Sequence, residues 1–268
     1  MFGPALILFS DLDGTLLDHD TYDWSPAQPA LKQLAALEVP LVLTSSKTRA
    51  EMEALRRAMG NHHPFIMENG AATVIPKDYF ETGPEQVTCL GAGRVDILTH
   101  LRRLRGQGFR FTGFADMTDA DVATHTGLDL DGAGKARDRV ATEPLLWQGS
   151  EADLAAFRQA LEAAGLQLLA GGRFLHAMGQ FDKADAMAQL TQRYRTRWPG
   201  RSWQTVALGD SPNDQAMLAG ADLAVVMAGP GANRITLPPG HRVIRSQQPG
   251  PLGWNQCVLD ILKSYDDH

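Results

Sequence analysis

Cysteine is scarce in this chain: Cys89 and Cys257 are the only two among 268 residues, and they lie far apart. A disulfide framework or a cysteine-based zinc site is therefore excluded, and reduced thiols suit the cytoplasm. Long hydrophobic runs are also missing; none approaches the ~20 residues that cross a bilayer. The N-terminus has no basic segment leading into an apolar stretch and a small-residue cleavage site, so neither a signal peptide nor a membrane partner is expected. Positive charge is in deficit, with 25 Lys and Arg against 31 Asp and Glu and a net charge of −6. A nucleic-acid binder should show the opposite balance. Internal repeats and low-complexity segments are absent. What remains is 44% hydrophobic and 21% charged, enough for one large core or two modest ones.

The pattern of that apolar content is informative. Ala5–Phe9 is a short unbroken apolar run and reads as a strand buried on both faces. Leu41–Leu43, Phe65–Met67, Val206–Leu208 and Leu223–Met227 repeat the signature. Helical spacing follows in 30–37, 49–59, 183–194 and 215–219, and 253–263 reads as a closing helix. Strands alternating with helices predict a parallel sheet with right-handed crossovers. Val74–Pro76 reads as a hairpin partner of the third strand, and Val243–Ile244 as an edge strand. Between Gly83–Pro84 and Asp182 the character changes. Helices are expected at 95–104, 119–123 and 151–164, and strands at 109–111, 145–147, 166–170 and 174–178, forming a mainly antiparallel module. The Gly-, Lys-, Arg- and Asp-rich stretch 129–139 receives no element. Residues 1–84 and 181–268 are thus expected to form one unit, with 85–180 inserted into it.

Chemistry concentrates at the predicted strand ends. The first strand runs into Ser10-Asp11-Leu12-Asp13-Gly14-Thr15. Side chains two apart on an extended segment point the same way, so Asp11 and Asp13 can share a pocket. Such carboxylates repel unless a proton or a cation lies between them, and oxygen donors beside phosphate favour Mg2+. The second strand leads into Thr44-Ser45-Ser46-Lys47 before a helix, an arrangement that caps the helix or cradles an anion. Lys183 opens a helix, where a lone lysine is normally solvated. A later strand ends in Gly209-Asp210-Ser211-Pro212-Asn213-Asp214, a third acidic strand end. His62 and His63 fall in a loop and His176 on a strand face, with no metal role assigned.

Together Asp11-Leu12-Asp13-Gly14-Thr15, Ser45, Lys183 and Gly209-Asp210-x-x-Asn213-Asp214 resemble the signatures of the haloacid-dehalogenase-like hydrolases. Within that superfamily, Ser45–Glu51, Phe65–Ala72, Arg139-x-x-x-Glu143-Pro144 and Gly171-Gly172-Arg173-Phe174-Leu175-His176 look like the mannosyl-3-phosphoglycerate phosphatases. The resemblance covers nearly the whole chain. It implies an α/β fold: a Rossmann-like parallel-sheet core with an inserted α+β cap of the C2 type. It implies Asp11 as nucleophile, Asp13 as general acid and base, and Lys183 and Ser45 as phosphoryl ligands. Mg2+ would be held by Asp11, Asp13 and Asp210, with Asp214 beside them. Ser46, Lys47, Glu68, Asn69, Arg139, Glu143, Gly172, Arg173 and Asn213 are the implied substrate contacts. Arg139 and Arg173 suit a carboxylate, and Glu68, Asn69 and Glu143 suit sugar hydroxyls.

The expected substrate is mannosyl-3-phosphoglycerate or its glucosyl analogue, giving a compatible solute of the glycerate class in the cytoplasm. Three rivals stand beside it: a broader sugar-phosphate phosphatase, a phosphosugar mutase, and a binding protein on an inactive scaffold. None of the core signature residues Asp11, Asp13, Lys183 and Asp210 is missing, which argues against the last.

Overall fold

The computed structural model describes residues 5–171 and 174–266. In chain order the first unit contains β1 (Ala5–Ser10), α1 (Gln28–Ala36), β2 (Leu41–Thr44), α2 (Arg49–Met59), β3 (Phe65–Met67), β4 (Ala72–Ile75) and β5 (Gln86–Cys89). Next come α3 (Arg94–Gly106), β6 (Phe111–Gly113), α4 (Asp119–Thr126), α5 (Leu130–Arg137), β7 (Thr142–Trp147), α6 (Glu151–Glu162), β8 (Leu166–Gly171) and β9 (Phe174–Gly179). The chain finishes with α7 (Lys183–Arg197), β10 (Trp203–Gly209), α8 (Gln215–Gly220), β11 (Leu223–Ala228), β12 (Val243–Pro249) and α9 (Gly250–Asp266).

Eight strands form the larger sheet in the order β12-β11-β10-β1-β2-β3-β4-β5. From β12 to β3 every pairing is parallel; β4 and β5 extend the sheet antiparallel. The sheet is mixed α/β as expected, and both faces are covered. Leu6 and Leu8 pack towards α1 and α9, whereas Ile7 and Phe9 pack towards α7 and α8. An uninterrupted apolar run is the consequence of that two-sided burial. Strand β5 continues the larger sheet beyond residue 84, where the inserted unit was expected to begin, because Gln86–Cys89 pairs with Ala72–Ile75. Its polar residues Gln86 and Thr88 are tolerated because it is an edge strand.

The smaller sheet has the order β6-β7-β9-β8 and is antiparallel throughout. One face packs on α3 and α6 through Leu145, Ala177 and Leu168 against Ile97, Leu101 and Phe157. The opposite face meets the larger unit, where Met178 joins Ala71 and Phe181. Helix α5 occupies the stretch left unassigned in the sequence. Its two glycines disfavour a helix, but Asp129 caps it, accepting from Gly132 N at 2.7 Å, and Ala133 and Ala136 bury against Phe114 and Met117. Among the described residues no helix is long and apolar enough to cross a membrane.

Behind the larger sheet, His63 Nδ1 and the Tyr79 and Tyr194 hydroxyls form a chain with 2.7 Å links. Burial holds the His63 imidazole down to about 4. The unfolded chain binds this proton near 6.5, so acidification favours the unfolded state between those values. Relative to His63→Phe, the wild type should lose about 2 kcal/mol more unfolding free energy between pH 7 and 5. Parallel pH profiles in urea denaturation would contradict this assignment.

Candidate active site

Chain order reverses on either side of β1: β2 follows on one side and β10 lies on the other. In parallel sheets this switch point opens a crevice at the carboxyl ends of the strands. Three loops therefore converge: Asp11–Thr15 after β1, Ser45–Thr48 after β2 and Asp210–Asp214 after β10. The end of β1 is pinned on both sides. Asp11 N donates to Leu208 O at 2.9 Å, and Trp254 Nε1 of α9 donates to the buried Ser10 hydroxyl at 2.9 Å.

Lys183, the first residue of α7, lies in the middle. Its ammonium is 2.5 Å from Asp11 Oδ1 and 2.6 Å from Asp214 Oδ1, and the side chain is 1% exposed. A lone lysine at a helix start is here almost fully enclosed, as is its partner Asp214. Burial alone would lower its proton affinity, but the Asp11 and Asp214 charges reverse this and raise it. Asp182, immediately before it, caps α7 through Ala184 N and Asp185 N and so fixes where Lys183 starts.

Carboxylate oxygens of Asp11, Asp210 and Asp214 all lie within 4.8 Å of one another. Burial and the neighbouring Asp214 hold the Asp11 carboxyl well above its usual range, with Lys183 opposing. The same causes push Asp210 up to about 6. Asp214 is the best satisfied of the three. Its Oδ2 accepts from the Asp210 and Ser211 amides, both at 3.2 Å, while Lys183 takes Oδ1. Among the described residues the Asp210 carboxylate has one side-chain donor, the Thr15 hydroxyl at 3.3 Å. Three carboxylates facing one ammonium leave an excess of two negative charges among oxygen donors. That donor set fits a hard divalent cation. Gly14 is required beside it: its φ is +78°, and a Cβ would come within 2.8 Å of Asp210 Oδ2.

The Asp13 carboxylate stands apart from this trio and pairs with Lys47 Nζ at 2.8 Å. A metal role for Asp13 therefore falls to its backbone carbonyl. Lys47 also lies over the Tyr22 ring at 4.8 Å, a contact that composition and spacing gave no sign of. Thr48 caps α2 in a capping box with Glu51, so the hydroxyls of Ser45 and Ser46 are spared that duty. Among the described residues Ser45 Oγ accepts locally, from Lys47 N at 3.2 Å.

Residues expected to contact substrate separate into groups. The Glu68 carboxylate is fully buried and accepts from Val140 N at 2.8 Å, Ala141 N at 3.2 Å and Thr142 Oγ1 at 2.6 Å. Glu143 is equally buried and held by Arg94, at 2.9 Å from Nε and 2.8 Å from the terminal nitrogen, and by Ala115 N at 2.6 Å. Both carboxylates are engaged by protein donors. Asn69 is buried and accepts from Asn213 Nδ2 at 3.5 Å. Arg139 donates to Ala136 O at 2.9 Å, Thr142 Oγ1 at 2.9 Å and Ser46 O at 3.2 Å, bridging the two units. Gly172 and Arg173 lie outside the described residues. On β9, His176 is buried with Nδ1 unpaired among the described residues; burial and nearby Arg139 lower its basicity to about 3.

The match to known proteins agrees with this geometry. Residues 8–82 fit the model of the haloacid dehalogenase-like hydrolases. A structure of a phosphatase of that superfamily from Bacteroides thetaiotaomicron superposes with a TM-score of 0.66 at 18% identity, covering 98% of this chain and 96% of that one. The fold is that of this class. A glucosyl-3-phosphoglycerate/mannosyl-3-phosphoglycerate phosphatase from Methanococcoides burtonii is 38% identical across 96% of this chain and 97% of its own. Another of the same name, from Persephonella marina, is 32% identical across 97% and 98%. The chain belongs to the glucosyl-3-phosphoglycerate/mannosyl-3-phosphoglycerate phosphatase family of these hydrolases.

Lys183→Met would leave Asp11 and Asp214 buried without their counter-charge. The expected loss is about 3–5 kcal/mol of stability in metal-free protein, read by urea denaturation at pH 7.5. A loss below about 1 kcal/mol, the scale of a surface pair, would show that the ammonium does not hold this cluster together.

Proposed function

We propose that the chain is a Mg2+-dependent phosphatase that converts mannosyl- or glucosyl-3-phosphoglycerate to the glycosylglycerate and phosphate in the cytoplasm. The observation that carries this reading is the Lys183-centred cluster of Asp11, Asp210 and Asp214, in a chain related over its whole length to phosphatases of that name. The unit built on β6–β9, which follows β5, acts in this reading as the inserted cap that decides the substrate.

Asp11, at the end of β1, is the nucleophile. Its carboxylate oxygen attacks phosphorus as the bond to the glycerate oxygen breaks, giving an aspartyl-phosphate. Lys183 favours the ionised form of Asp11 against the burial that opposes it, and offers its positive charge to the phosphoryl oxygens. Ser45 donates to the same group. Asp13, steadied by Lys47, gives a proton to the leaving oxygen and then takes one from the water that cleaves the acyl-phosphate. Mg2+ held by Asp11, Asp210 and the Asp13 carbonyl, with Asp214 fixing the loop, would supply the charge that lets the phosphate dianion approach these carboxylates.

Asp11→Asn should abolish phosphate release from both glycosyl-3-phosphoglycerates while the thermal transition survives; undiminished release refutes the nucleophile assignment. In a panel of phosphorylated sugars, strong preference for a simple hexose phosphate would favour the broader phosphatase. Isomerisation without phosphate release would favour a mutase. Mg2+ should raise the Tm more at pH 7.5 than at pH 5. Asp210 is half-protonated near pH 6 without metal, so at pH 5 the cation must displace a proton. An equal shift at both values would argue that the cation binds elsewhere.

A further inference from the structure

The turn between β3 and β4 is built unlike any other in the described chain. Glu68, Asn69 and Gly70 follow one another with φ of 49°, 59° and 100°. Two consecutive non-glycine residues in the left-handed region persist only where their surroundings over-determine them. The surroundings do so from four directions. Glu68 N donates to Lys47 O at 3.0 Å and Asn69 N to Ser45 O at 2.9 Å, fastening the turn to the loop after β2. Gly70 lies against the residue before Lys183, where a Cβ would come within 2.1 Å of Asp182 O. Asn69 receives Asn213 from the loop after β10. The Glu68 carboxylate, finally, takes two amides and a hydroxyl from Val140–Thr142, at the foot of the smaller sheet.

This turn therefore touches the Ser45 loop, the start of the Lys183 helix, the Asn213 loop and the smaller unit at once. Its contact with the smaller unit is a buried carboxylate with three donors and, among the described residues, no cation as a hydrogen-bond partner, so the bond is directional and charge-assisted. Arg139 completes the join by donating both to Thr142 Oγ1 and to Ser46 O. Thr142 gives its hydrogen to Glu68 and its lone pair to Arg139, so the two contacts share one hydroxyl.

We propose that Glu68 is a positioning residue that clamps the cap onto the phosphoryl-binding loops, through the left-handed turn it starts, and does not touch substrate. The proposal rests on the phosphatase reading above. With the clamp made, a substrate spanning both units is held against Ser45 and Lys183; with it broken, the cap docks in a wider set of positions. A large glycosyl phosphoglycerate should feel that loss, whereas p-nitrophenyl phosphate, with a small leaving group that asks little of the cap, should feel much less.

Glu68→Gln places an amide NH2 against donors, and Thr142→Val deletes one donor while preserving shape. Phosphate release is measured for both variants on mannosyl-3-phosphoglycerate and on p-nitrophenyl phosphate, together with amide hydrogen exchange of residues 140–142. The ratio of kcat/KM on the first substrate to that on the second should fall about tenfold for Glu68→Gln and less for Thr142→Val, chiefly through KM. Exchange at Val140 and Ala141 should quicken in Glu68→Gln. An unchanged ratio, including one produced by equal losses on both substrates, overturns the proposal, since the carboxylate then serves only the fold. So does unchanged exchange at Val140 and Ala141. If the wild type releases no phosphate from either glycosyl phosphoglycerate, the substrate reading fails by itself. The ratio is then taken on whichever sugar phosphate the wild type prefers, and the exchange measurement needs no substrate.

Discussion

The ammonium of Lys183 between Asp11 and Asp214 is the contact on which the site depends. Its three charges come from positions 11, 183 and 214, and the structure brings them within 2.6 Å links while nearly excluding water. Burying ions is expensive, and the mutual attraction offsets that cost only when geometry is close and the remaining lone pairs are used. Here the lone pairs are used unequally. Asp214 is saturated by Lys183 and backbone amides, whereas among the described residues Asp210 has one side-chain donor, Thr15, at a long distance. The incomplete member faces the crevice, so the deficit of positive charge is placed where a cation and a phosphate can relieve it.

Topology makes that arrangement inexpensive to build. Strand β1 lies between β2 and β10, so their carboxyl ends emerge side by side, and each loop needs only a few residues to reach its neighbours. The charged groups come from loops and a helix start, whereas the strands beneath are apolar on both faces. A polar bond under the site, from Trp254 to Ser10, ties the closing helix to the strand that delivers Asp11. The Asp11 backbone is thereby held by elements from both ends of the chain.

Much of this was legible in the sequence, because parallel strands buried on both faces appear as short apolar runs and their functional ends as abrupt polar strings. Asp11, Asp13, Ser45 and Asp210 could be placed at such ends from the sequence, and Lys183 at a helix start. The larger sheet could be read for the same reason, apart from β5, whose edge position leaves it without an apolar signature. Helix α5 was hidden by Gly132 and Gly134, whose low helix propensity is outweighed by the Asp129 cap and the burial of Ala133 and Ala136. The buried glutamates were the hardest to read. Residue type says that Glu68 and Glu143 carry charge, but it does not say whether that charge faces substrate or is consumed by donors remote in sequence, such as Val140–Thr142 and Arg94.

The supply of donors separates the buried carboxylates by role. Glu143 has a guanidinium and an amide, and Glu68 has two amides and a hydroxyl; each is satisfied inside the protein. Asp210 is not, and its proton affinity rises accordingly, to about 6. A carboxylate whose lone pairs are filled by its own chain gains nothing from a ligand and would lose bonds by turning towards one. One left short of donors, at the mouth of a crevice, is stabilised by any cation that arrives. On that criterion Glu68 belongs with the contacts that join the two units and Glu143 with those internal to the smaller unit, whereas Asp11 and Asp210 remain short of donors. The aspartate pair is separated from the glutamates by donor supply rather than by depth, since Asp11 is itself only 6% exposed. Burial alone would have grouped all of these acids together.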